Sequence, residues 1–360
     1  MFKYIITVQP LGLMYGSSGG FLSAENLVGC SRAKFPPDAA TLSGLILSYE
    51  RYINPNKDSS ISKCQNENCS SSKCQNEDFS NLKCLHVAGP FWAKENNKTS
   101  FYVPIPWTKI IGEKGTDEWI IKDDKWYRHE EEGKSEIEPK YHWLKINYWN
   151  KYAKDIVGSN KKNKKGSMAE SPWKSVSILH PRMKYEERNA REKDGLFLEY
   201  AVQMPDDVCL VYLSTHSLEP GWYKFGGENH VVEINSIELS ENDLIIQLLK
   251  KPIQNSFALI TPAVWGSNRL SYRTPQHSDF PPIKLMLTDK AIPYRYRTQG
   301  RLGRGRYAVP GGSVYVLEES LNKSWWEWPE EWFPQEGISL KKVGSGLCLP
   351  LDIDDIKGEV

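Results

Sequence analysis

The chain has 360 residues, with 13 Trp, 18 Tyr and a formal net charge of +1. This length exceeds one ordinary hydrophobic core and predicts two domains. The sequence has no run of about 18 apolar residues, which excludes a transmembrane helix, and residues 1–8 are too short and too alternating for a signal peptide. The odd count of seven Cys predicts free thiols in a reducing cytoplasm.

The chain begins with a predicted strand and a predicted helix. Residues 1–8 read as the strand, and apolar residues at helical spacing over 38–53 predict the helix, with Asp38 as its N-cap. Gly44 lies inside this helix, where it costs about 1 kcal/mol relative to Ala. We therefore expect a neighbouring backbone or a ligand to approach closely at Gly44.

A polar, repetitive insertion follows over 54–84. Residues 62–67 recur as 72–77, both reading SKCQNE, and the stretch lacks the apolar residues that a core needs. A tetrahedral zinc site is one alternative for its cysteines, but their intervals differ from two close pairs, and the duplication explains two of them without metal. We therefore predict no metal. The cysteines concerned are Cys64, Cys69, Cys74 and Cys84.

The remaining elements predict an α+β protein of two similar domains. Residues 117–152, rich in Trp and Tyr among charges, predict an exposed β-hairpin excursion, and the basic stretch 161–166 predicts a link. Strands are predicted at 196–202, 208–213, 231–239 and 257–260, with a helix over 244–249 capped by Ser240. The order of these elements suits a ferredoxin-like domain. The predicted domains are 1–160 and 166–360.

The strongest local signal is a basic segment over 290–317, which contains no Asp or Glu. Arg guanidinium groups bind phosphate oxygens bidentately, and Tyr or Arg planes stack on unpaired bases. The alternative is a solvated basic hairpin that binds nothing. The candidate contacts are Arg295, Arg297, Arg301, Arg304, Arg306 and Tyr307.

Three further places are candidates for phosphate contact. The N-terminal end of the helix predicted over 38–53 carries Thr41 and Ser43, and helix N-termini attract anions. A second glycine loop follows Lys341 and Lys342, although a tight turn explains its glycines as well. His230 follows another turn, and there too a structural role is the alternative. Sequence signatures of P-loop, zincin and α/β-hydrolase enzymes are missing.

Several of these pieces together resemble the subunit-three family of the type III-B CRISPR effector (the Cmr complex), within the RAMP superfamily. The resemblance spans most of the chain, and residues 306–315, RYAVPGGSVY, are its most specific string. The other matching strings are Pro10-Leu11-Gly12, Phe35-Pro36-Pro37, Thr41-Leu42-Ser43-Gly44, Gly195-Leu196-Phe197, Gly226-Gly227-Glu228, Thr261-Pro262 and Gly344-Ser345-Gly346.

The resemblance implies two ferredoxin-like (RRM-like) domains with long loop and hairpin insertions. It further implies a non-catalytic, cytoplasmic subunit that binds the 5′ tag of the CRISPR RNA and meets target RNA only indirectly. Its expected partners are the large Palm-domain, cyclase-like subunit and an adjacent backbone RAMP subunit, without cofactor or membrane. The expected RNA contacts are Lys34, Thr41, Ser43, His230, Arg295, Arg297, Arg301, Arg304, Arg306, Tyr307, Lys341, Lys342, Gly344 and Gly346.

Two alternatives stay open at this point. Related RAMP proteins are metal-independent endoribonucleases that process CRISPR RNA, and His230 or His180 would be the acid–base group here. The other alternative is a purely structural subunit that touches only protein. The acidic, Trp-rich segment 318–337 is expected to contact protein rather than RNA, because its carboxylates repel phosphate and its aromatic side chains need cover. That cover is either the chain's own core or a neighbouring subunit, and we favour the subunit interface.

Overall fold

The structure is a computed structural model that describes residues 1–15, 35–53, 84–128, 137–157, 166–181, 183–186, 189–190, 196–267, 270–295, 297–298, 301–353 and 355–356. Over these residues the fold is mixed α/β, with mostly antiparallel sheets and few helices. Within the described ranges, no helix is both long enough and apolar enough to span a membrane. Most of the predicted 54–84 insertion lies outside them.

The strands and helices, in chain order within each class, have the following bounds. The strands are β1 (Tyr4–Pro10), β2 (Met14–Tyr15), β3 (Val87–Lys94), β4 (Asn97–Pro104), β5 (Lys109–Ile111), β6 (Thr116–Lys122), β7 (Lys125–Arg128), β8 (Trp143–Lys145), β9 (Met168–Ala169), β10 (Lys174–Pro181), β11 (Leu196–Gln203), β12 (Val208–Ser214), β13 (Gly221–Phe225), β14 (His230–Glu238), β15 (Ser256–Leu259), β16 (Trp265–Gly266), β17 (Ser271–Tyr272), β18 (Ile283–Leu287), β19 (Ile292–Tyr294), β20 (Arg297–Thr298), β21 (Arg301–Leu302), β22 (Arg306–Ala308), β23 (Val314–Leu317), β24 (Cys348–Pro350) and β25 (Asp355–Ile356). The α-helices are α1 (Ala39–Ile53), α2 (Ala153–Val157) and α3 (Leu244–Lys250), and short 3-10 helices occur at Ile146–Tyr148, Trp325–Glu327, Glu330–Trp332 and Leu340–Val343.

An eight-stranded sheet organises the molecule, in the order β13-β14-β1-β12-β3-β4-β8-β9. Successive side chains of a strand point to opposite faces, so β1 sends Ile5 to one face and Ile6 and Val8 to the other. Helix α1 covers the Ile6 face with Leu42 and Ile46, both fully buried. Each such side chain contributes about 1.5–3 kcal/mol by leaving water.

The opposite face of this sheet shares a core with a second sheet, in the order β18-β23-β15-β24. Phe257 of β15 stacks on Tyr315 of β23, with ring centroids 4.8 Å apart. Strand β1 lies between β12 and β14, so the eight-stranded sheet takes strands from both sides of the predicted link at 161–166. The division into domains at that link stays a prediction.

The predicted strands and helices are confirmed, the predicted cap of α3 is wrong, and no neighbouring backbone of the described residues approaches Gly44 closely. The first strand, the first helix and the strands of the second half occur where their apolar patterns place them. Gly44, however, is exposed, and a Cβ added there would meet no described atom within 4 Å. Asp243, not Ser240, precedes α3, and the Ser240 hydroxyl donates to the Asp243 carboxylate at 2.8 Å.

The aromatic residues of segment 318–337 lie in the chain's own core, contrary to the predicted protein interface. Trp328 packs edge-on against Phe257 at 5.5 Å, and Trp332 against Phe280 at 5.0 Å. The segment therefore completes the core that the second sheet shares with the eight-stranded sheet. The buried aromatic residues of the segment are Trp325, Trp328, Trp332 and Phe333.

Candidate nucleic-acid interface

The basic segment forms a two-stranded hairpin in which β19 pairs with β22 and β20 with β21. At its base, Tyr294 and Ala308 are buried in a small cluster with residues of the 3-10 helix Leu340–Val343. Ala40, at the start of α1, packs on the same cluster. The fold therefore brings together three predicted RNA-contacting segments: the hairpin, the first turn of α1 and the region of the second glycine loop.

Arg306 is a buried residue with internal partners, and its predicted RNA contact stays a prediction. Its side chain is 5% exposed, and its Nη1 donates to the backbone oxygen of Ser267 at 2.9 Å. Its Nη2 lies 3.4 Å from a carboxylate oxygen of Glu336, which is itself only 15% exposed. A buried guanidinium group needs such partners. Arg306 thus ties the hairpin to two other parts of the chain.

The remaining arginines of the hairpin differ in their surroundings. Arg304 is exposed, and its backbone N–H donates to Glu336 Oε1 at 3.2 Å. The Nε of Arg295 donates to the backbone oxygen of Gly303 at 2.6 Å, which braces the two strands against each other. The side chains of Arg297 and Arg301 lie outside the described residues.

Some of the cations predicted to contact RNA have acidic partners in segment 318–337. The sequence next to each cation does not show these partners. Glu336 accepts from Arg304 and neutralises Arg306, and Glu330 lies 3.9 Å from Lys342 Nζ. Residues 290–317 themselves contain no Asp or Glu, so this counter-charge comes from residues distant in sequence.

Lys341 is also buried, at 6% exposure, and its ammonium group serves the Trp-rich segment. Its Nζ donates to the backbone oxygens of Trp326, at 2.8 Å, and Trp328, and it lies 5.2 Å from the Trp325 ring centroid. Burial lowers the pKa of Lys341 to about 8, opposed by the charges of nearby glutamates. These contacts give Lys341 a structural role, and its RNA contact stays a prediction.

Internal packing explains the glycines of the second loop. Gly344 has φ +71°, and a Cβ added to it would lie 2.6 Å from Cα of Ala88 in β3. Gly346 has φ +67°, and its Cβ would lie 2.6 Å from the Trp265 ring. Only glycine combines this backbone conformation with such close approach. Internal packing therefore accounts for both glycines, and their contact with an RNA phosphate stays a prediction.

His230 and the first turn of α1 form a second group. The backbone N–H of Tyr15 donates to His230 Nε2 at 3.0 Å, and the two rings stack with centroids 5.7 Å apart. The neighbouring Gly226 has φ +76°, and its Cβ would lie 4.0 Å from Cγ2 of Thr41. Thr41 is half-buried, whereas Ser43 is 7% exposed and faces the core. This group adjoins the hairpin base through the start of α1.

The other candidate residues lie away from these groups or outside the described residues. His180 Nε2 lies 3.2 Å from a Glu199 carboxylate oxygen on the sheet β10-β11-β2. The thiol of Cys84 is half-buried, and no set of three metal-ligating side chains converges among the residues that the structure describes. The predicted residues outside the described part are Lys34, Cys64, Cys69 and Cys74.

One exposed aromatic residue next to the hairpin, Tyr272, was not among the residues predicted from the sequence. Tyr272, at the end of β17, is 39% exposed, and the backbone N–H of Tyr307 donates to Ser271 Oγ at 3.1 Å. Strand β17 therefore lies beside β22. The available signal was the stretch 264–278, which contains two arginines and no acidic residue.

Comparison with known proteins places the chain among CRISPR-associated proteins. The family model described as CRISPR-associated protein (Cas_Cmr3) matches residues 23–352. Similar chains occur in two cryo-EM structures of the type III-B Cmr-beta bound to cognate target RNA. For the structure that also contains AMPPnP, state 1, the identity is 11% over 87% of this chain and 86% of that chain, with a TM-score of 0.48. For the other structure, the identity is 12% over 87% of this chain and 86% of that chain, with a TM-score of 0.46.

A third similar chain comes from the crystal structure of the Csm3–Csm4 subcomplex in the type III-A CRISPR-Cas interference complex. Its identity is 11% over 89% of this chain and 94% of that chain, with a TM-score of 0.40. A search of curated protein sequences finds no match.

Proposed function

The chain belongs to the Cas_Cmr3 family of CRISPR-associated proteins, and we propose that it is a non-catalytic subunit of a type III-B CRISPR ribonucleoprotein. In this proposal it binds the 5′ tag of the CRISPR RNA and docks the large Palm-domain subunit and an adjacent backbone RAMP subunit, in antiviral defence. We also propose that the chain consists of two ferredoxin-like domains, 1–160 and 166–360. The family resemblance supports these finer assignments.

The observation that carries the RNA part is the placement of the hairpin. Its base is fixed by buried Tyr294, Ala308 and Arg306, while Arg304 is exposed near its end. A cationic strand pair on a rigid base attracts a phosphate backbone, and bound phosphates release counterions. The start of α1 lies at the same base, where its N–H groups suit a phosphate.

The test uses purified full-length protein and synthetic CRISPR RNA with its repeat-derived 5′ tag. We expect Arg304→Glu to weaken binding and to reduce the slope of log Kd against log salt by about 0.7 or more, the value for one phosphate contact on a single strand. The matched control is Arg51→Glu at the end of α1, whose side chain is also exposed.

Three outcomes separate the alternatives. Unchanged affinity and salt dependence in Arg304→Glu would place the RNA site elsewhere. A wild-type protein that fails to bind the RNA at all would support a subunit that touches only protein. RNA cleaved in the presence of EDTA would support the endoribonuclease, and His230→Ala and His180→Ala would then identify its acid–base group.

A further inference from the structure

Two exposed tyrosines lie on neighbouring strands at the side of the hairpin. Tyr272 of β17 is 39% exposed and Tyr307 of β22 is 49% exposed. The hydrogen bond from the Tyr307 backbone N–H to Ser271 Oγ holds the two strands together. Leu270, which precedes β17, is also exposed, at 59%. Such a patch of large side chains marks a contact surface when its surroundings are ordered.

The patch is mounted on buried groups. Tyr272 lies directly against Gly266, where a Cβ would be 2.4 Å from Tyr272 Cδ2 and φ is +101°. The Arg306 guanidinium group holds the turn between β16 and β17 through the Ser267 oxygen. Buried Tyr315 donates its hydroxyl to the backbone oxygen of Arg273 at 2.6 Å. The tyrosines therefore stand on a fixed frame and lose little conformational entropy when a ligand binds.

The charge around the patch selects its occupant. Residues 256–317 contain nine arginines and lysines against two aspartates, and Glu336 adds counter-charge only at Arg304 and Arg306 among the contacts described above. Two of these cations are exposed. Arg273 follows Tyr272 in sequence, and Arg304 lies on the same hairpin as Tyr307. A polyanion with flat apolar groups satisfies both the charge and the aromatic surface, and single-stranded RNA is such a ligand. A protein partner would instead need a strongly acidic surface here.

We propose that Tyr272 and Tyr307 form a platform on which unpaired RNA bases stack, with Arg273 and Arg304 binding the adjoining phosphates. This inference rests on the proposed RNA-binding function and adds the mode of recognition. Base–aromatic stacking tolerates any base, because every base has a π face. The platform therefore holds the strand without reading its sequence.

The test compares alanine and phenylalanine variants of both tyrosines on the tagged CRISPR RNA. Tyr272→Ala and Tyr307→Ala each weaken binding by about fivefold to a hundredfold, whereas the Phe variants keep the stacking surface and stay within about twofold of wild type. The salt dependence stays as in wild type for the tyrosine variants but falls for Arg273→Gln and Arg304→Gln. Tyr127→Ala is the matched control, since Tyr127 is 43% exposed on a different hairpin.

A second RNA with abasic residues in the tag separates stacking from every other role. Removing the bases weakens wild-type binding, and the alanine variants then bind this RNA as well as wild type does. Alanine variants that bind the intact RNA like wild type overturn the platform while the proposed function stands. If the wild-type protein does not bind the tagged RNA, both the proposed function and the platform are wrong. If the alanine variants bind the RNA like wild type but no longer co-purify with the other subunits, the patch is a protein interface.

Discussion

Two adjacent lysines show how tertiary structure decides the role of a residue. Lys341 and Lys342 are equivalent in sequence, yet the first is 6% exposed and hydrogen-bonded to backbone oxygens of the Trp-rich segment. The side chain of the second is 29% exposed, with a carboxylate oxygen 3.9 Å away. A long ion pair in that position contributes little, whereas removing a buried donor leaves its acceptors without partners.

We therefore expect Lys341→Met to destabilise the protein and Lys342→Met to be nearly neutral. The two backbone oxygens left without a donor in Lys341→Met cost about 2–4 kcal/mol, while Lys342→Met costs less than about 1 kcal/mol. The urea midpoint of unfolding measures both. Equal midpoints for the two variants would contradict the structural role of Lys341.

His86 predicts a loss of stability in acid. Its pKa is lowered to about 4, mainly by burial, from an ordinary value of 6.5. Between these two values the unfolded chain binds the proton and the folded chain does not. The free energy of unfolding therefore falls as the pH falls from 6.5 to 4, by at most about 3 kcal/mol.

The measurement compares wild type with His86→Gln in urea at several pH values. The difference between their free energies of unfolding should shrink as the pH falls through this window, since all other groups titrate in both proteins. His142→Gln, at an exposed histidine, is the control for a histidine-to-glutamine substitution. A constant difference for His86→Gln would show that His86 titrates alike in the folded and unfolded states.

At the scale of elements, two glycines have opposite roles. Gly44 lies exposed within α1 with no described atom near its missing Cβ, whereas Gly344 is left-handed and touches Ala88. Gly44→Ala should stabilise the protein by about 0.5–1 kcal/mol through helix propensity. Gly344→Ala should destabilise it by about 1–3 kcal/mol through backbone strain, and by more through the clash. Melting temperatures that move in opposite directions confirm both, and a rise for Gly344→Ala contradicts the packing.

The regular elements were predictable from sequence because their signals are local. The apolar spacing of α1 and the continuous apolar run of β12 each lie within one short window. The site was less predictable, because its contacts join distant segments. Glu336 reaches Arg306 across 30 positions, and Lys341 reaches Trp326 across 15. A segment free of acidic residues is therefore not free of counter-charge once the chain folds.

At the scale of the whole molecule, the first and second halves of the chain depend on each other. All seven residues of β12 are buried, and its two neighbours in the sheet, β1 and β3, both belong to the first half. Without residues 1–160, β12 loses its backbone partners on both sides, and β14 loses β1. Unpaired backbone groups at buried positions are costly, and the apolar faces would be left in water.

We therefore expect neither fragment 1–160 nor fragment 166–360 to fold by itself. Each should lack a cooperative thermal transition, whereas co-expression of the two should restore one complex with the melting behaviour of the full chain. The control is a protease site inserted after Lys162: cleavage of the folded protein should leave both pieces associated, since the strand pairings persist. A cooperative transition in isolated 166–360 would show that β12 does not need β1 and β3, and would make the predicted boundary a division between independent folding units.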